Sequence, residues 1–288
     1  MTVLTVGSLH YDIMVEADHL PRPDETAVGS RWYPKFGGKG GNQAVAVAKA
    51  GVASRMFGAV GADDFGTFLR AALRAGGVDD RFVATLPDVG SGMSVAIVDG
   101  QGDYAATIVS GANLRSEPAA LADPALWQGV HLLILQNEVP EALNIAAATQ
   151  ARARGIRTLL NAAPARDLSP DLVALVDILV VNAVEAEMMG ADPVCCLHSA
   201  ANAAERLAAR FEAVIVTAGS KGLAGITAQD EAFTLPAEKV AVISSHGAGD
   251  AFIGAFCAAL VQETPLLESA RRASHAAARH VSTPGTLT

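Results

Sequence analysis

The run Ile178-Leu179-Val180-Val181 is followed at once by Asn182-Ala183-Val184-Glu185-Ala186-Glu187. A short continuous apolar run is typical of a strand buried on both faces of a parallel sheet, and the segment after it resembles the start of a helix. Similar apolar runs stand at residues 3–6, 54–57, 132–135, 158–160 and 214–217, and helix-like stretches at residues 65–75, 141–154, 200–211, 251–262 and 266–281. This alternation predicts an α/β fold with a large, doubly wound, mostly parallel sheet and helices on both faces.

Two segments alternate with period two instead. Residues 92–98 and 104–109 flank the glycine-rich turn Asp99-Gly100-Gln101-Gly102-Asp103, which predicts a pair of antiparallel strands. Residues 11–16 and 26–33 flank a loop that contains Pro21 and Pro23. We expect these four strands to form a small β-sheet lid, made of residues 11–35 and 91–110, within a single domain that spans residues 1–288.

The composition limits the possible functions. Of 288 residues, 51% are hydrophobic and 18% are charged, which excludes a disordered chain. A formal net charge of −9 argues against binding to nucleic acid or to an anionic membrane. The most apolar stretch, residues 251–261, is shorter than the roughly 20 residues that span a bilayer, and the N-terminus lacks a signal-peptide pattern. These features predict a cytoplasmic protein that acts on a small molecule.

The spacing of the three cysteines is not typical of a disulfide framework or of a metal centre. Their number is odd, Cys195 and Cys196 are adjacent, and no C-x-x-C spacing occurs. We therefore expect no disulfide framework and no zinc site, and interpret the thiols as free and buried.

Phe36-Gly37-Gly38-Lys39-Gly40-Gly41-Asn42-Gln43-Ala44 opens a predicted helix that runs to about residue 49. The glycines allow a ligand to approach the backbone, while Lys39 and Asn42 offer a cation and an amide near a helix N-terminus. The segment matches neither a Walker A loop nor the G-x-G-x-x-G pattern, which gives little support to dinucleotide binding. A flexible turn with a solvated lysine is the alternative interpretation.

A second glycine-rich stretch, Ser244-Ser245-His246-Gly247-Ala248-Gly249-Asp250, leads into the apolar segment 251–262. Small residues at a helix start expose unpaired N–H groups that attract phosphate oxygens. Asp250 in the first turn has two interpretations: it compensates the helix dipole, or it acts as a general base beside an anion-binding site.

Asn182 and Glu185 follow the predicted strand 178–181 directly. The carboxyl ends of parallel strands line the crevice in which doubly wound sheets bind ligands. Three residues apart on a helix start, both side chains face one way and suit a hydrated Mg²⁺ that arrives with a nucleotide. Simple charge compensation at a helix N-terminus explains them equally well.

Taken in order, these clusters resemble the ribokinase-like (phosphofructokinase B-type) family of sugar and nucleoside kinases over essentially the whole chain. The motifs that carry the resemblance are Gly7-Ser8-x-x-x-Asp12, Pro23-Asp24-Glu25-Thr26, residues 37–44, Ser110-Gly111-Ala112-Asn113, Gln136-Asn137-Glu138, Asn161-Ala162-Ala163-Pro164, Asn182-x-x-Glu185, Thr217-Ala218-Gly219-Ser220-Lys221-Gly222 and Gly247-Ala248-Gly249-Asp250. The resemblance implies ATP-dependent transfer of a γ-phosphoryl group to the primary hydroxyl of a ribose-like pentose, and a homodimer formed through the lids.

The resemblance also implies roles for individual residues. Asp250 would be the general base, and the backbone of Gly247, Ala248 and Gly249 the anion hole. The substrate would be held by His10, Asp12, Gly38, Lys39, Asn42, Glu138 and Asp250. ATP would contact Asn182, Thr217, Gly219, Ser220, Gly222 and His275, and Mg²⁺ would be placed by Asn182 and Glu185 through water.

Several positions depart from the family pattern. His10 stands where ribose kinases usually carry Asn, and His275 where relatives often carry an amide near the adenine. Ser244 replaces an aspartate that contributes to a monovalent-cation site in many relatives, which leaves a role for K⁺ open. Two alternatives to a pentose kinase remain: a nucleoside kinase for adenosine, inosine or pseudouridine, and a non-catalytic sugar-binding protein.

Overall fold

In the computed structural model, which describes residues 1–100, 103–227, 229 and 231–283, the strands fall into two sheets. The strands are β1 (Thr2–Val6), β2 (His10–Ala17), β3 (Gly29–Gly37), β4 (Ala53–Gly61), β5 (Val78–Leu86), β6 (Met93–Asp99), β7 (Tyr104–Val109), β8 (Val130–Gln136), β9 (Arg157–Asn161), β10 (Ile178–Asn182), β11 (Ala213–Thr217), β12 (Gly222–Thr227) and β13 (Ala232–Pro236). The helices are α1 (Lys39–Lys49), α2 (Asp64–Ala75), α3 (Pro124–Trp127), α4 (Glu141–Arg152), α5 (Pro170–Val173), α6 (Ala183–Met188), α7 (Leu197–Ala208), α8 (Ala248–Val261) and α9 (Leu266–Ser282).

The large sheet has nine strands in the order β13-β12-β11-β10-β9-β8-β1-β4-β5. Its pairings are parallel from β11 to β5, whereas β12 and β13 pair antiparallel at one edge. The chain leaves β1 for β4 on one side and later returns to β8 on the other. Ligands of open α/β sheets bind where the strand order reverses in this way, outside the carboxyl ends of the strands. The predicted doubly wound, mostly parallel sheet is confirmed.

The second sheet has four strands in the order β3-β2-β6-β7. β2 pairs antiparallel with β3 and parallel with β6, and β6 pairs antiparallel with β7. This is the small sheet expected from the two alternating segments. Two residues of its predicted hairpin turn, Gln101 and Gly102, lie outside the described residues.

Helices cover both faces of the large sheet, as the burial of the strands on both sides requires. One face packs on α8 through Phe252, Ile253 and Phe256, and the other packs on α4 and α7 through residues such as Leu143 and Leu207. Close packing between α1 and α8 depends on Gly254, since a Cβ there would lie 2.3 Å from Cβ of Ala46. This contact fixes α1 against α8, and both helices begin at the candidate site.

The structure adds elements that the sequence patterns did not predict. β5, β12 and β13 were not expected, because they show no uninterrupted apolar run. The buried segment 251–261 is helical as predicted, but α8 begins earlier, at Ala248. In the described ranges, no helix combines the length and the apolar character needed to cross a bilayer.

The prediction of buried thiols is wrong for two of the three cysteines. Cys257 is buried in α8, whereas Cys195 and Cys196 are exposed just before α7. Adjacent residues at a helix start lie on a loop rather than on the apolar face of the helix, and the apolar nature of cysteine alone could not place them.

Candidate active site

Asp250 lies in the first turn of α8, at the carboxyl edge of the large sheet. The N-cap of α8, Gly247, has a left-handed backbone with φ of 80°, which glycine adopts without strain. The N–H groups at a helix start lack intrahelical acceptors, and the helix dipole makes this end partially positive. The N–H of Ala248 donates to the carbonyl of Ser245 over 3.3 Å, a long hydrogen bond. The arrangement gives a carboxylate beside a cluster of anion-attracting donors.

Two amides from α1 hold the Asp250 carboxylate. Gln43 Nε2 donates to Oδ1 over 2.9 Å, and Asn42 Nδ2 donates to Oδ2 over 3.2 Å. Gln43 is itself fixed, because its Nε2 also donates to Asn161 Oδ1 over 3.0 Å and its Oε1 accepts from Gln136 Nε2 over 2.8 Å. The network joins the ends of β8 and β9 to α1 and α8. Tertiary contacts therefore set the orientation of the Asp250 carboxylate.

The surroundings of Asp250 raise its pKa above the ordinary value. Burial is the largest cause, because it disfavours the charged form, and the charge of Glu138 acts in the same direction. The charge of Lys39 and the hydrogen bonds from Gln43 and Asn42 partly offset this effect. A carboxylate with a raised pKa is a better proton acceptor than an ordinary aspartate.

The glycine-rich start of α1 packs against the chain that leaves β1. Ser8 Oγ and the backbone N–H of Lys39, over 2.8 Å, both donate to Glu138 Oε2 at the end of β8. A Cβ on Gly40 would lie 2.6 Å from the backbone nitrogen of Ser8, so this approach requires glycine. The ends of β1 and β8 therefore meet at the point where the strand order reverses.

His10 and Asp12 lie on β2 at the boundary between the two sheets. His10 is buried, its Nδ1 lies 3.9 Å from Glu138 Oε2, and its Nε2 has no hydrogen-bond partner among the described residues. Asp12 Oδ1 accepts from Ser94 Oγ over 2.5 Å. Burial raises the pKa of Asp12, while the Ser94 hydrogen bond and the charges of His10 and Lys35 oppose the shift. Such a group of polar side chains suits a ligand with several hydroxyls.

Lys39 is electrostatically central to the cleft. Its charge lowers the pKa of Asp250 and of Glu185, in each case against a larger effect of burial, and it also lowers the pKa of His246. A cation in this position attracts anionic groups. Lys35 adds a second positive charge near Asp12 and His246.

Asn182 and Glu185 form a capping box at the start of α6. Asn182 Oδ1 accepts from the backbone N–H of Glu185, and Glu185 Oε2 accepts from that of Asn182, each over 2.9 Å. Burial raises the pKa of Glu185. The residues thus have the capping role that was one of the two interpretations of this pair. In the described part of the chain, no group of three or more His, Cys, Asp or Glu could hold a metal ion. A pair of oxygen-bearing side chains fits a Mg²⁺ ion that keeps most of its waters and is carried by phosphates.

The remaining predicted nucleotide residues lie around the β11–β12 turn and on α9. Thr217 pairs in register with Asn182 across β10 and β11, and Gly219 and Gly222 both have positive φ. Ser220 lies between them and is exposed. His275 is exposed on α9, where its Nδ1 lies 3.1 Å from the Glu238 carboxylate. The turn lies at the carboxyl end of β11, on the same edge of the large sheet as Asp250. His275 instead contacts Glu238 in the segment after β13.

Four residues near the cleft were not singled out as site residues by the sequence patterns. These are Gln43, Lys35, Ser94 and His280. Gln43 belongs to the glycine-rich stretch 36–44, and its position next to Asn42 was the one sequence feature that indicated a place in the site. The ring of His280 lies beside Gly247, with Nε2 at 2.9 Å from the carbonyl oxygen of His246. His246 and His280 are 34 positions apart in the sequence, so this contact could be found only from the folded structure.

A carboxylate at a glycine-capped helix start, at the reversal point of a doubly wound sheet, can take a proton from a hydroxyl beside an anion-attracting helix end. The profile of the pfkB family of carbohydrate kinases matches residues 2–288, and the chain belongs to this family. It is accordingly a phosphotransferase with an alcohol group as acceptor, as the sequence predicted.

Named relatives agree with this assignment. The ribokinase of Mus musculus is 34% identical over 292 residues, covering 99% of this chain and 90% of the mouse protein. The deoxyribokinase of Salmonella typhi is 31% identical over 289 residues, covering 99% and 94%. A structure of Arabidopsis thaliana ribokinase complexed with ribose and ATP superposes with a TM-score of 0.91 at 27% identity, covering 99% of this chain and 94% of that one. The ribokinase-like fold predicted from the sequence is confirmed.

Proposed function

We propose that this protein is an ATP-dependent pentose kinase that phosphorylates the primary hydroxyl of ribose or of a close analogue. The observation that carries the proposal is the position of Asp250, a half-buried carboxylate held by Gln43 and Asn42 at the N-terminus of α8. The ribokinase relatives and the likeness to a ribose and ATP complex support the same activity.

Asp250 is the proposed general base. Its carboxylate takes the proton of the sugar hydroxyl as the oxygen forms a bond to the γ-phosphorus and the bond from phosphorus to the β-phosphate oxygen of ATP breaks. ADP leaves with the electron pair of the broken bond. In the proposed mechanism, the backbone N–H groups of Gly247, Ala248 and Gly249 and the cation of Lys39 stabilise charge on the transferring group.

The proposed sugar site is the polar boundary between the sheets. Asp12 accepts hydrogen bonds from two sugar hydroxyls, as a carboxylate can, and Glu138, Asn42 and the backbone at Gly38 complete the site. His10 contributes its buried, unpartnered Nε2 to a further hydroxyl. Because an imidazole is bulkier than the amide common at this position, this residue is the main reason to test pentoses other than ribose.

The proposed ATP site lies along the turn of Thr217, Gly219, Ser220 and Gly222, with His275 near the base. Asn182 and Glu185 would hold Mg²⁺ through water molecules, and that ion would neutralise phosphate charge when bound. Ser244 supplies a hydroxyl where relatives have a carboxylate, so we propose that K⁺ activates this enzyme weakly or not at all.

A substrate panel tests the function. ADP release would be measured with ribose, 2-deoxyribose, other pentoses, adenosine, inosine and pseudouridine, each with and without K⁺. We expect the highest kcat/KM for a free pentose, with little effect of K⁺. A nucleoside as the best substrate would refute the pentose assignment, and the absence of turnover with any acceptor would favour a non-catalytic sugar-binding protein.

We further propose that the four-stranded sheet acts as a lid and joins two subunits. Trp32 on β3 and Ile108 on β7 are 64% and 57% exposed, and they lie on the two edge strands of the sheet. Exposed apolar edge strands are stabilised by pairing with another copy. Light scattering at micromolar concentration would give a dimer mass, and a monomer mass would contradict the proposal.

The cytoplasm is the compartment we propose for this activity. The enzyme consumes ATP, and two of its three cysteines are free and exposed, a state that reducing compartments maintain. Cell fractionation with a tagged full-length chain would check this assignment.

A further inference from the structure

The loop before α8, residues 243–247, is held only weakly by its own hydrogen bonds. The N–H of Ala248 donates to the carbonyl of Ser245, and the N–H of His246 donates to Ser244 Oγ, each over 3.3 Å. Both distances are long for a hydrogen bond. The first four residues of the loop are also exposed. Contacts from outside the loop are therefore needed to fix its conformation.

The end of α9 supplies two shorter contacts. The N–H of Ile243 donates to the carbonyl of Val281 over 2.8 Å, and His280 Nε2 lies 2.9 Å from the carbonyl oxygen of His246. A carbonyl oxygen can only accept a hydrogen bond, so His280 Nε2 carries the proton. Both the neutral Nε2–H ring and the protonated ring present this donor. The contact therefore does not depend on the charge of His280.

The contact with the His246 carbonyl also fixes the N–H of Gly247. These two groups belong to one planar peptide unit, and because the bond is trans they point in opposite directions. The N–H of Gly247 is thus directed away from the His280 ring, and it has no acceptor among the described residues. A hydrogen bond donated to the carbonyl also polarises the peptide unit and makes its N–H a stronger donor.

The His280 ring closely approaches the α-carbon of Gly247. A Cβ at this position would lie 3.0 Å from His280 Nε2, and the φ of Gly247 is 80°. Glycine is therefore favoured both by the left-handed backbone and by the neighbouring ring. Packing of the ring at this point leaves the peptide unit between His246 and Gly247 little room to rotate.

We propose that His280 is a positioning residue for phosphoryl transfer, which holds the His246 carbonyl and thereby orients the Gly247 N–H toward the γ-phosphoryl group. The inference rests on the proposed function, in which the Gly247 N–H is one of three backbone donors to that group. His280 itself contacts neither the sugar nor the nucleotide in this role. A misoriented donor stabilises the charge of the transition state less, whereas binding of the sugar at the sheet boundary does not involve it.

Steady-state kinetics with ribose and ATP test this role. His280→Leu keeps a side chain of substantial size but removes the donor, so kcat should fall by about tenfold or more while the KM for ribose stays within about twofold. His280→Gln supplies an amide N–H of similar reach, and kcat should recover to within about threefold of wild type. The matched control is Arg279→Leu, because Arg279 is the exposed neighbour of His280 on α9, and its kinetics should be those of wild type.

Hydrogen–deuterium exchange of the ligand-free chain measures the contact without any substrate. The amides of residues 243–250 should exchange at least about threefold faster in His280→Leu than in wild type, and His280→Gln should restore the protection. Since His280 is exposed, these replacements should leave the core intact, and circular dichroism of each variant checks that it is folded.

The outcomes separate this inference from the proposed function. Equal exchange in wild type and His280→Leu would show that the ring does not hold the loop. With an active wild type, an unchanged kcat in His280→Leu, or an equal loss in His280→Gln, would overturn the positioning role alone. No turnover of ribose or another pentose by wild type would refute the proposed function instead, and the exchange measurement would still decide whether His280 holds the loop.

Discussion

Gln43 Nε2 lies 2.9 Å from Oδ1 of Asp250, although the two residues are separated by 207 positions in the chain. The same nitrogen reaches Asn161, and the amide oxygen accepts from Gln136, so the side chain cannot rotate without breaking several buried hydrogen bonds. A buried, fully bonded amide of this kind fixes the geometry of the carboxylate that we assign as the base.

The first prediction concerns the base itself. Replacement Asp250→Asn keeps the shape of the side chain but removes its basicity, so kcat should fall by roughly 10²–10⁴ while the Kd for ATP stays near the wild-type value. Steady-state kinetics and nucleotide titration measure the two quantities. Turnover close to wild type would remove Asp250 from the mechanism.

The second prediction concerns the pH profile. Because the pKa of Asp250 is raised, kcat/KM should decline on acidification at a pH above the ordinary aspartate value of about 3.9. Replacement Gln43→Met removes a donor that stabilises the charged carboxylate, so the acidic limb should move to higher pH and kcat should fall. A reduced rate with an unshifted limb would mean that Gln43 acts only through packing.

The third prediction separates sugar binding from nucleotide binding. Replacement Asp12→Ala removes the acceptor at the sheet boundary and should raise the KM for the pentose, leaving the KM for ATP unchanged. The matched control is Asp18→Ala, because Asp18 lies just beyond the end of the same strand and is exposed. Equal effects of the two replacements would contradict the assigned sugar site.

The fourth prediction tests the contact between α1 and α8. Replacement Gly254→Ala would place a Cβ 2.6 Å from the backbone carbon of Ala46, so the helices must separate, at a cost of about 1–3 kcal/mol in the free energy of unfolding. Because Gln43 and Asp250 lie on these helices, kcat should also fall, by about tenfold or more. Adding Ala46→Gly should rescue little, since backbone atoms cause part of the clash. Full recovery would contradict this explanation.

The fifth prediction concerns stability away from the site. Arg55 donates to Asp79 over 2.9 Å and to the carbonyl oxygens of Leu126 and Gln128 over 2.6 and 3.1 Å. Replacement Arg55→Met should cost about 2–3 kcal/mol in the free energy of unfolding at pH 7, because it leaves the two carbonyl oxygens without this donor and Asp79 with Arg81 alone of its two arginine partners. Urea unfolding measures the difference.

The pH dependence of this difference has a definite sign. Hydrogen bonds from Arg81 and Arg55 hold the pKa of Asp79 in the folded protein below its ordinary value. The ionised carboxylate therefore stabilises the folded state fully above about pH 3.9, and this stabilisation is lost as the pH falls through the lowered pKa of the folded protein. The wild-type advantage over Arg55→Met should therefore shrink in acid. Arg81→Met is the control, since the exposed Arg81 contacts the same carboxylate and should matter much less. An equal loss in the free energy of unfolding from Arg55→Met and Arg81→Met would contradict the larger role assigned to Arg55.

Local patterns were sufficient for much of the fold. Runs such as residues 178–181 are buried because their side chains are apolar on both faces of the strand. This property can be recognised from a few consecutive residues. The hairpin β12–β13 escaped prediction because Gly222 and Gly225 interrupt its apolar pattern, and only pairing with β11 makes these residues a strand.

The sequence by itself determined the alternation of strands and helices, the two glycine-rich helix starts and the presence of Asp250 in one of them. These features depend on neighbours within a few residues, where hydrophobic period, glycine and helix polarity act. Only the tertiary structure decided that Gln43 and Asn42 hold Asp250, that Ser8 and Lys39 meet Glu138, and that Cys195 and Cys196 are exposed. Those relationships join positions far apart in the chain, and they form only when packing of the sheet and helices brings the strand ends together.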